Sequence, residues 1–355
     1  MKAFLLPAWL ATVSMLTLGW SPDAAASSTW RGADAWGSYR PDGTVYYGGH
    51  GVSSVLWSAS SRRYEITLSA GYYSVDDVTV VSLASTCPAG ATARQSSVGG
   101  KLLVFVVDTA GESIQCLFTF ASWLSENSPG PAPLDNALAY AAPAAIGTVQ
   151  RLGTEGTGSW GIDAVAWNAS LERYEVDVTG YYMSIYDIAA ATLTGDAGNC
   201  PAGAEIRHSS VSGKLLFYVV AANGSRIQCA FRFVAWPANV ASLLADGFEG
   251  NAQQAARSIG AYAYINRYNL EEVRHAHRVE SVLWNSTLQR FELTLQGIHY
   301  SIGDRAFVTA RGDAGGCPAG TVTRIGSVSG LLLVYFIAPD GERIQCSFSV
   351  AAQLD

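Results

Sequence analysis

Charge is scarce in this sequence. Asp, Glu, Lys and Arg make up 14% of its 355 residues, against roughly 25% in an average soluble domain. The 22 basic residues are outnumbered by 29 acidic ones, leaving a net charge of −7 and no basic stripe. That excludes the electrostatic footprint of a nucleic-acid binder. Cysteine is missing before Cys87, so a lipoprotein anchor is not expected. After the N-terminal segment the longest apolar runs, such as Leu331–Ala338, are of strand length and too short to span a bilayer. Catalytic signatures are missing too. The nearest approach to a G-x-S-x-G elbow, Thr157-Gly-Ser159-Trp-Gly161, has Thr where Gly should stand. No Gly-rich loop opens a helix, so phosphate binding is unsupported.

The N-terminus reads as a secretory signal over residues 1–26. Lys2 supplies the positive start, Ala3 to Trp20 are uncharged and apolar, and Ala24-Ala25-Ala26 offers a small-residue cleavage site. A transmembrane anchor is the rival reading, and the small-residue site favours cleavage. Residues 27–35 form a short arm.

The remainder is organised by an internal repeat. Gly51–Trp57 (GVSSVLW) returns as Gly161–Trp167 (GIDAVAW) and as Arg278–Trp284 (RVESVLW). Seven residues after each Trp stands an aromatic: Tyr64, Tyr174 and Phe291. A Cys-Pro-Ala-Gly stretch begins at Cys87, Cys200 and Cys317, and an Ile-Gln-Cys ends at Cys116, Cys229 and Cys346. The copies span residues 36–123, 145–236 and 258–355, joined by Pro-, Ala-, Asn- and Gly-rich linkers at 124–144 and 237–257.

Each copy reads as a small antiparallel β-sandwich, so the fold class is all-β: three tandem jelly-roll-like modules. Tyr64–Leu68, Tyr174–Val178 and Phe291–Leu295 alternate apolar and polar residues, as strands with one buried and one wet face do. The last strand of copy one is read the same way, with Phe118 and Phe120 inward and Thr119 on the opposite face. Asp108–Gly111, Asn223-Gly224 and Pro339–Gly341 mark hairpin turns. Leu102–Val107, Leu215–Val220 and Leu332–Ile337 are apolar on both faces and want cover on both sides. Either a loop of the same copy or a neighbouring copy supplies it.

Six Cys in an exported chain suggest disulfides. The equal separation of 29 residues favours Cys87–Cys116, Cys200–Cys229 and Cys317–Cys346. Two thiols per copy without an in-register His make a poor zinc site, and no metal or cofactor is expected.

Aromatic clusters carry the best binding signal. Tyr72 and Tyr73 follow Gly71, Tyr181 and Tyr182 follow Gly180, and His299 and Tyr300 close the stretch after Gly297; Tyr186 adds a ring in copy two. Exposed rings beside polar groups suit a glycan or a cell-surface protein partner, and packing at the sandwich rim is the plain alternative. Asp77, Asp187 and Asp304 share one register position, where turn capping is the expected role and calcium the rival. His275 and His277 sit one residue apart, and His208 and His299 have no His counterpart in the other copies. Glu65, Glu175 and Glu292 occupy ordinary solvent-facing strand positions, so no catalytic residue is assigned and no enzyme is expected.

Each copy resembles the β-sandwich modules that end trimeric phage tail fibres and bacterial collagen-like proteins. The resemblance rests on Val52-Ser-Ser-Val55, Tyr64–Leu68, Leu102–Val107 and Phe118-Thr-Phe120, with equivalents in the other copies. The Cys pair and the preceding Trp depart from that pattern. Such modules assemble as threefold trimers and bind receptors or glycans. The resemblance therefore implies that three copies on one chain build an intramolecular pseudo-trimer. Three beads on a string are the alternative that the linkers equally permit. The expected function is a secreted, monomeric, non-enzymatic adhesion or binding protein. A structural envelope or matrix protein and a secreted polysaccharide-acting hydrolase are the rival readings.

Overall fold

The computed structural model describes residues 33–69, 72–124, 143–184, 187–194, 200–236, 259–268, 276, 278–301, 305–311 and 317–353. The signal segment, most of the arm and nearly all of both linkers lie outside the described residues. So do Tyr186, Asp304, His275 and His277.

Among the described residues there are strands and no helix. Copy one holds β1 (Ala35–Tyr39), β2 (Val45–His50), β3 (Val52–Ser58), β4 (Arg63–Leu68), β5 (Val78–Leu83), β6 (Thr92–Val98), β7 (Lys101–Val107) and β8 (Phe118–Trp123). Copy two holds β9 (Ala145–Val149), β10 (Ile162–Asn168), β11 (Arg173–Val178), β12 (Ile188–Thr194), β13 (Glu205–Val211), β14 (Lys214–Val220), β15 (Arg226–Ile227) and β16 (Phe231–Trp236). Copy three holds β17 (Ile259–Ile265), β18 (Val279–Asn285), β19 (Arg290–Leu295), β20 (Arg305–Ala310), β21 (Val322–Val328), β22 (Leu331–Ile337), β23 (Arg343–Ile344) and β24 (Phe348–Gln353).

One pairing scheme recurs. An outer sheet runs β3-β4-β7-β6, matched by β10-β11-β14-β13 and β18-β19-β22-β21. An inner sheet runs β1-β8-β5, matched by β9-β16-β12 and β17-β24-β20, with β2 added at the edge in copy one. The recurring Trp and aromatic face each other across the first outer hairpin: Trp57 pairs with Tyr64, Trp167 with Tyr174 and Trp284 with Phe291. Their rings meet edge-to-face at 4.8–4.9 Å, the arrangement the aromatic quadrupole prefers. Between the sheets of copy one, Tyr64, Ile66 and Leu68 pack with Leu102, Val104, Val106, Phe118 and Phe120. The three disulfides join Cys87 to Cys116, Cys200 to Cys229 and Cys317 to Cys346. Each anchors a Cys-Pro-Ala-Gly turn to the segment leading into the last strand of its copy.

The last strand of copy one departs from the one-wet-face expectation. Thr119, Ala121 and Trp123 are as buried as Phe118 and Phe120. For Ala121 and Trp123 the reason is a second core that all three inner sheets share, whereas Thr119 lies at the contact with copy three. Trp36, Val80, Ala121 and Trp123 of copy one meet Ile146, Ala190, Val234 and Trp236 of copy two and Tyr262, Phe307 and Ala351 of copy three. Copies that share such a core are not separate beads.

Strand pairing closes the same arrangement into a ring. β6 lies parallel to β12, with Arg94 opposite Leu193. Parallel bridges join His208 to Arg311, just after β20, and Ile325 to Ala84, just after β5. Copy one thus meets copy two, copy two meets copy three, and copy three returns to copy one. The doubly apolar β14 finds its outer cover in the neighbouring copy, where Ala319 packs on Leu216, Tyr218 and Val220.

Candidate functional site

The aromatic clusters split into a buried register and an exposed one. Tyr73, Met183 and Tyr300 are equivalent, because their N–H groups donate to the carbonyls of Gly100, Gly213 and Gly330 at 2.9–3.0 Å. All three are buried. Tyr73 and Tyr300 therefore cannot face a ligand at the surface, which corrects their assignment as surface-binding residues. The Tyr73 hydroxyl lies 2.7 Å from Thr79 Oγ1 and accepts from Arg232 Nη1 at 3.1 Å, so it serves the contact between copies one and two. Tyr181 is half-buried against the core of copy two.

The residues one position earlier, Tyr72, Tyr182 and His299, form the exposed register. Tyr72 is 66% and Tyr182 69% exposed, and His299 is exposed as well. Each ring lies on the tip of a hairpin, β6–β7, β13–β14 or β21–β22. The two tip residues have positive φ in every copy: Gly99 and Gly100, Ser212 and Gly213, Ser329 and Gly330. That is a type I′ turn, whose twist matches the flanking strands. The second glycine is required twice over. Its φ is near +80°, and an added Cβ would fall 2.6–2.7 Å from the ring of Tyr72, Tyr182 or His299. One face of each ring is thus seated on backbone and the rest is open. An exposed valine precedes each tip: Val98, Val211 and Val328. Ring and valine recur as one small patch in each copy.

Polar groups near these patches are largely committed. Lys101 pairs with Glu65 at 2.9 Å, and Lys214 with Asp177 at 3.0 Å. Lys101 and then Arg63 hold the Glu65 carboxyl below its usual range. Glu175 and Glu292 are likewise tied to Arg173 and Arg290. Asp77 and Asp187 accept from the N–H groups of Ser74 and Ser184, the turn-capping role expected of Asp.

The sequence reading missed the arginines of the ring. Arg94, Arg207 and Arg324 stand seven residues after the first Cys of each copy and are buried. Arg94 donates to the carbonyls of Cys200 and Pro201 at 3.0 and 2.7 Å. Arg207 repeats this with Cys317 and Pro318 at 3.0 and 2.7 Å. Arg324 returns to copy one, donating to Pro88 and Ala91 at 2.9 and 2.8 Å. Burial pushes the Arg324 guanidinium down to about 10, so it stays charged at neutral pH. Glu205, on the same strand as Arg207, is pushed up to about 7 by burial against the pull of that guanidinium. The available signal was the constant register of the arginines.

Two further polar groups distinguish the contacts. Arg232 reaches from copy two into copy one, donating to Gln95 Oε1, to Tyr73 and to the Val75 carbonyl at 2.6 Å. Arg311 of copy three meets His208 Nε2 of copy two at 3.4 Å. Burial first, and then the Arg311 charge, push His208 well below its ordinary value. Three disulfides fit an oxidising compartment, and among the described residues no helix is long and apolar enough to cross a membrane. Set against known proteins, the chain matches no family model, and neither the curated proteins nor the solved structures give a significant match.

Proposed function

We propose that this chain is an exported, non-enzymatic binding protein that presents its three hairpin tips to a repetitive glycan surface. The single observation carrying this reading is the exposed register Tyr72, Tyr182 and His299. Each ring is seated on a positive-φ glycine beside an exposed valine. A ring held on one face and open on the other offers a flat platform to the C–H face of a sugar at little entropic cost. The same hairpin tip recurs in each of the three copies of the closed ring, so one chain carries three of them. Weak contacts at three such points gain by multivalency. Export is supported by the N-terminal apolar run with its Ala24–Ala26 site and by the disulfides. The engagement of Glu65, Glu175 and Glu292 with basic partners weighs against the hydrolase reading.

The test is glycan-array and bacterial-surface binding by the full chain and by Tyr72→Ala, Tyr182→Ala and His299→Ala variants. Each single variant is expected to lower avidity about tenfold and the triple variant to abolish binding. Binding that survives in the triple variant, or that is directed to a protein receptor alone, overturns the glycan reading.

A further inference from the structure

The three contacts between copies are built on one plan but filled differently. On the arriving copy, the strand position after Phe118 is Thr119, and its equivalents are Arg232 and Ser349. At the end of the inner-sheet strand the equivalent position is Ala84, Thr194 or Arg311, whose N–H groups donate to the carbonyls of Leu117, Ala230 and Ser347. Between copies one and two, Arg232 fills the slot. Between copies two and three, Arg311 fills it from the other strand and meets His208. Between copies three and one, both positions are small, Thr119 and Ala84. The receiving copy is reduced as well. Ile325 stands where copies one and two have Gln95 and His208, and Gly326 where they have Ser96 and Ser209.

The result is a cavity of about 130 Å3, close to the ~150 Å3 of an apolar cavity that holds benzene. Tyr46, Tyr300 and Tyr335 contribute to its walls, and no charged side chain lines it. Exposed Thr86 marks its mouth. At its wall Thr119 is only 5% exposed, and its Oγ1 has no hydrogen-bond partner among the described residues. A buried hydroxyl without a partner is costly and wants one. We infer that this third contact is a binding site for a small neutral ring carrying one hydroxyl or amine, of the phenol class, with the ring among the tyrosines and its polar group at Thr119 Oγ1. Charged ligands are excluded because nothing in the wall neutralises them.

Gly326 provides the blocking variant. Its φ is not positive, and an added Cβ would meet Ser85 Oγ at 3.5 Å and Tyr335 Cε2 at 3.6 Å, ordinary contacts. Gly326→Val should therefore fold and narrow the cavity. The experiment measures binding of phenol, toluene and benzoate to the full chain by ligand-detected NMR and by thermal shift. Phenol is expected to saturate at one site per chain, with toluene weaker and benzoate not bound. Gly326→Val should weaken phenol at least tenfold. Thr119→Val should weaken phenol several-fold and leave toluene unchanged, a split that stands even if Gly326→Val fails to fold. Phenol binding should persist in the Tyr72→Ala, Tyr182→Ala, His299→Ala triple variant. Absence of saturable phenol binding, no toluene–phenol split in Thr119→Val, or loss of phenol binding in the triple variant would overturn the assignment.

Discussion

At the scale of single residues, the chemistry of this protein lies in a few buried polar groups. The Tyr64 hydroxyl reaches the carbonyls of Pro41 and Cys116 and accepts from the Cys116 N–H at 2.9 Å. Tyr174 contacts the carbonyls of Arg151 and Cys229 in the same way. In copy three Phe291 has no hydroxyl to offer. Tyr64→Phe is therefore expected to destabilise the fold by about 1–2 kcal/mol, since it leaves the Cys116 N–H without that acceptor. Urea unfolding of the variant against the parent checks it. His208 makes a pH-dependent contribution. Its folded value lies well below its unfolded value near 6.5, so as pH falls below 6.5 the unfolded state takes up a proton that the folded state refuses. Stability then declines with falling pH, by up to about 1.4 kcal/mol per unit. Arg311 is the charged group facing the ring. His208→Gln, which installs the residue that copy one carries as Gln95, should flatten stability between pH 6.5 and 5 relative to the parent. Denaturant midpoints across that range decide the matter.

At the scale of elements, some strands could be read from the sequence and others could not. β4, β11 and β19 alternate in burial just as their residues alternate in polarity, because their outer face meets solvent. β8 could not be read this way. Its Ala121 and Trp123 face the other two copies and its Thr119 the contact with copy three, and local periodicity carries no record of them. The candidate site was half legible for a related reason. The aromatic clusters after Gly71, Gly180 and Gly297 stand out in the sequence, but which of two adjacent residues is exposed is a question of register. A one-residue slip exchanges the two faces of a strand, and copy two carries one more residue between its glycine and the exposed ring than copy one. The hairpin tip yields its own prediction. Gly100→Ala or Gly213→Ala puts a Cβ at positive φ and against the ring of Tyr72 or Tyr182. A cost of about 1–2 kcal/mol is expected, together with loss of binding at that tip. Calorimetry and surface-binding assays on the same variants test both parts.

At the scale of the whole molecule, the three sandwiches hold one another through a common core and three buried arginines. Arg324→Ala removes the donors to Pro88 and Ala91 that return the ring to its first copy. The expected loss is about 2–4 kcal/mol, and it should be felt by all three copies, not by copies one and three alone. A single unfolding transition, lowered as a unit, is the expected calorimetric trace; three separable transitions would contradict it. Because closure is intramolecular, the melting temperature should also be the same over a hundredfold range of protein concentration, unlike that of a dissociable trimer.

In an assembly of identical chains every mutation is written three times, so no contact can change without its two symmetry mates changing with it. Here each contact has its own codons. Arg232, the Arg311–His208 pair and the open wall around Thr119 and Gly326 are three answers to one geometric problem. A single gene can keep two contacts shut for strength while the third is free to evolve toward a guest.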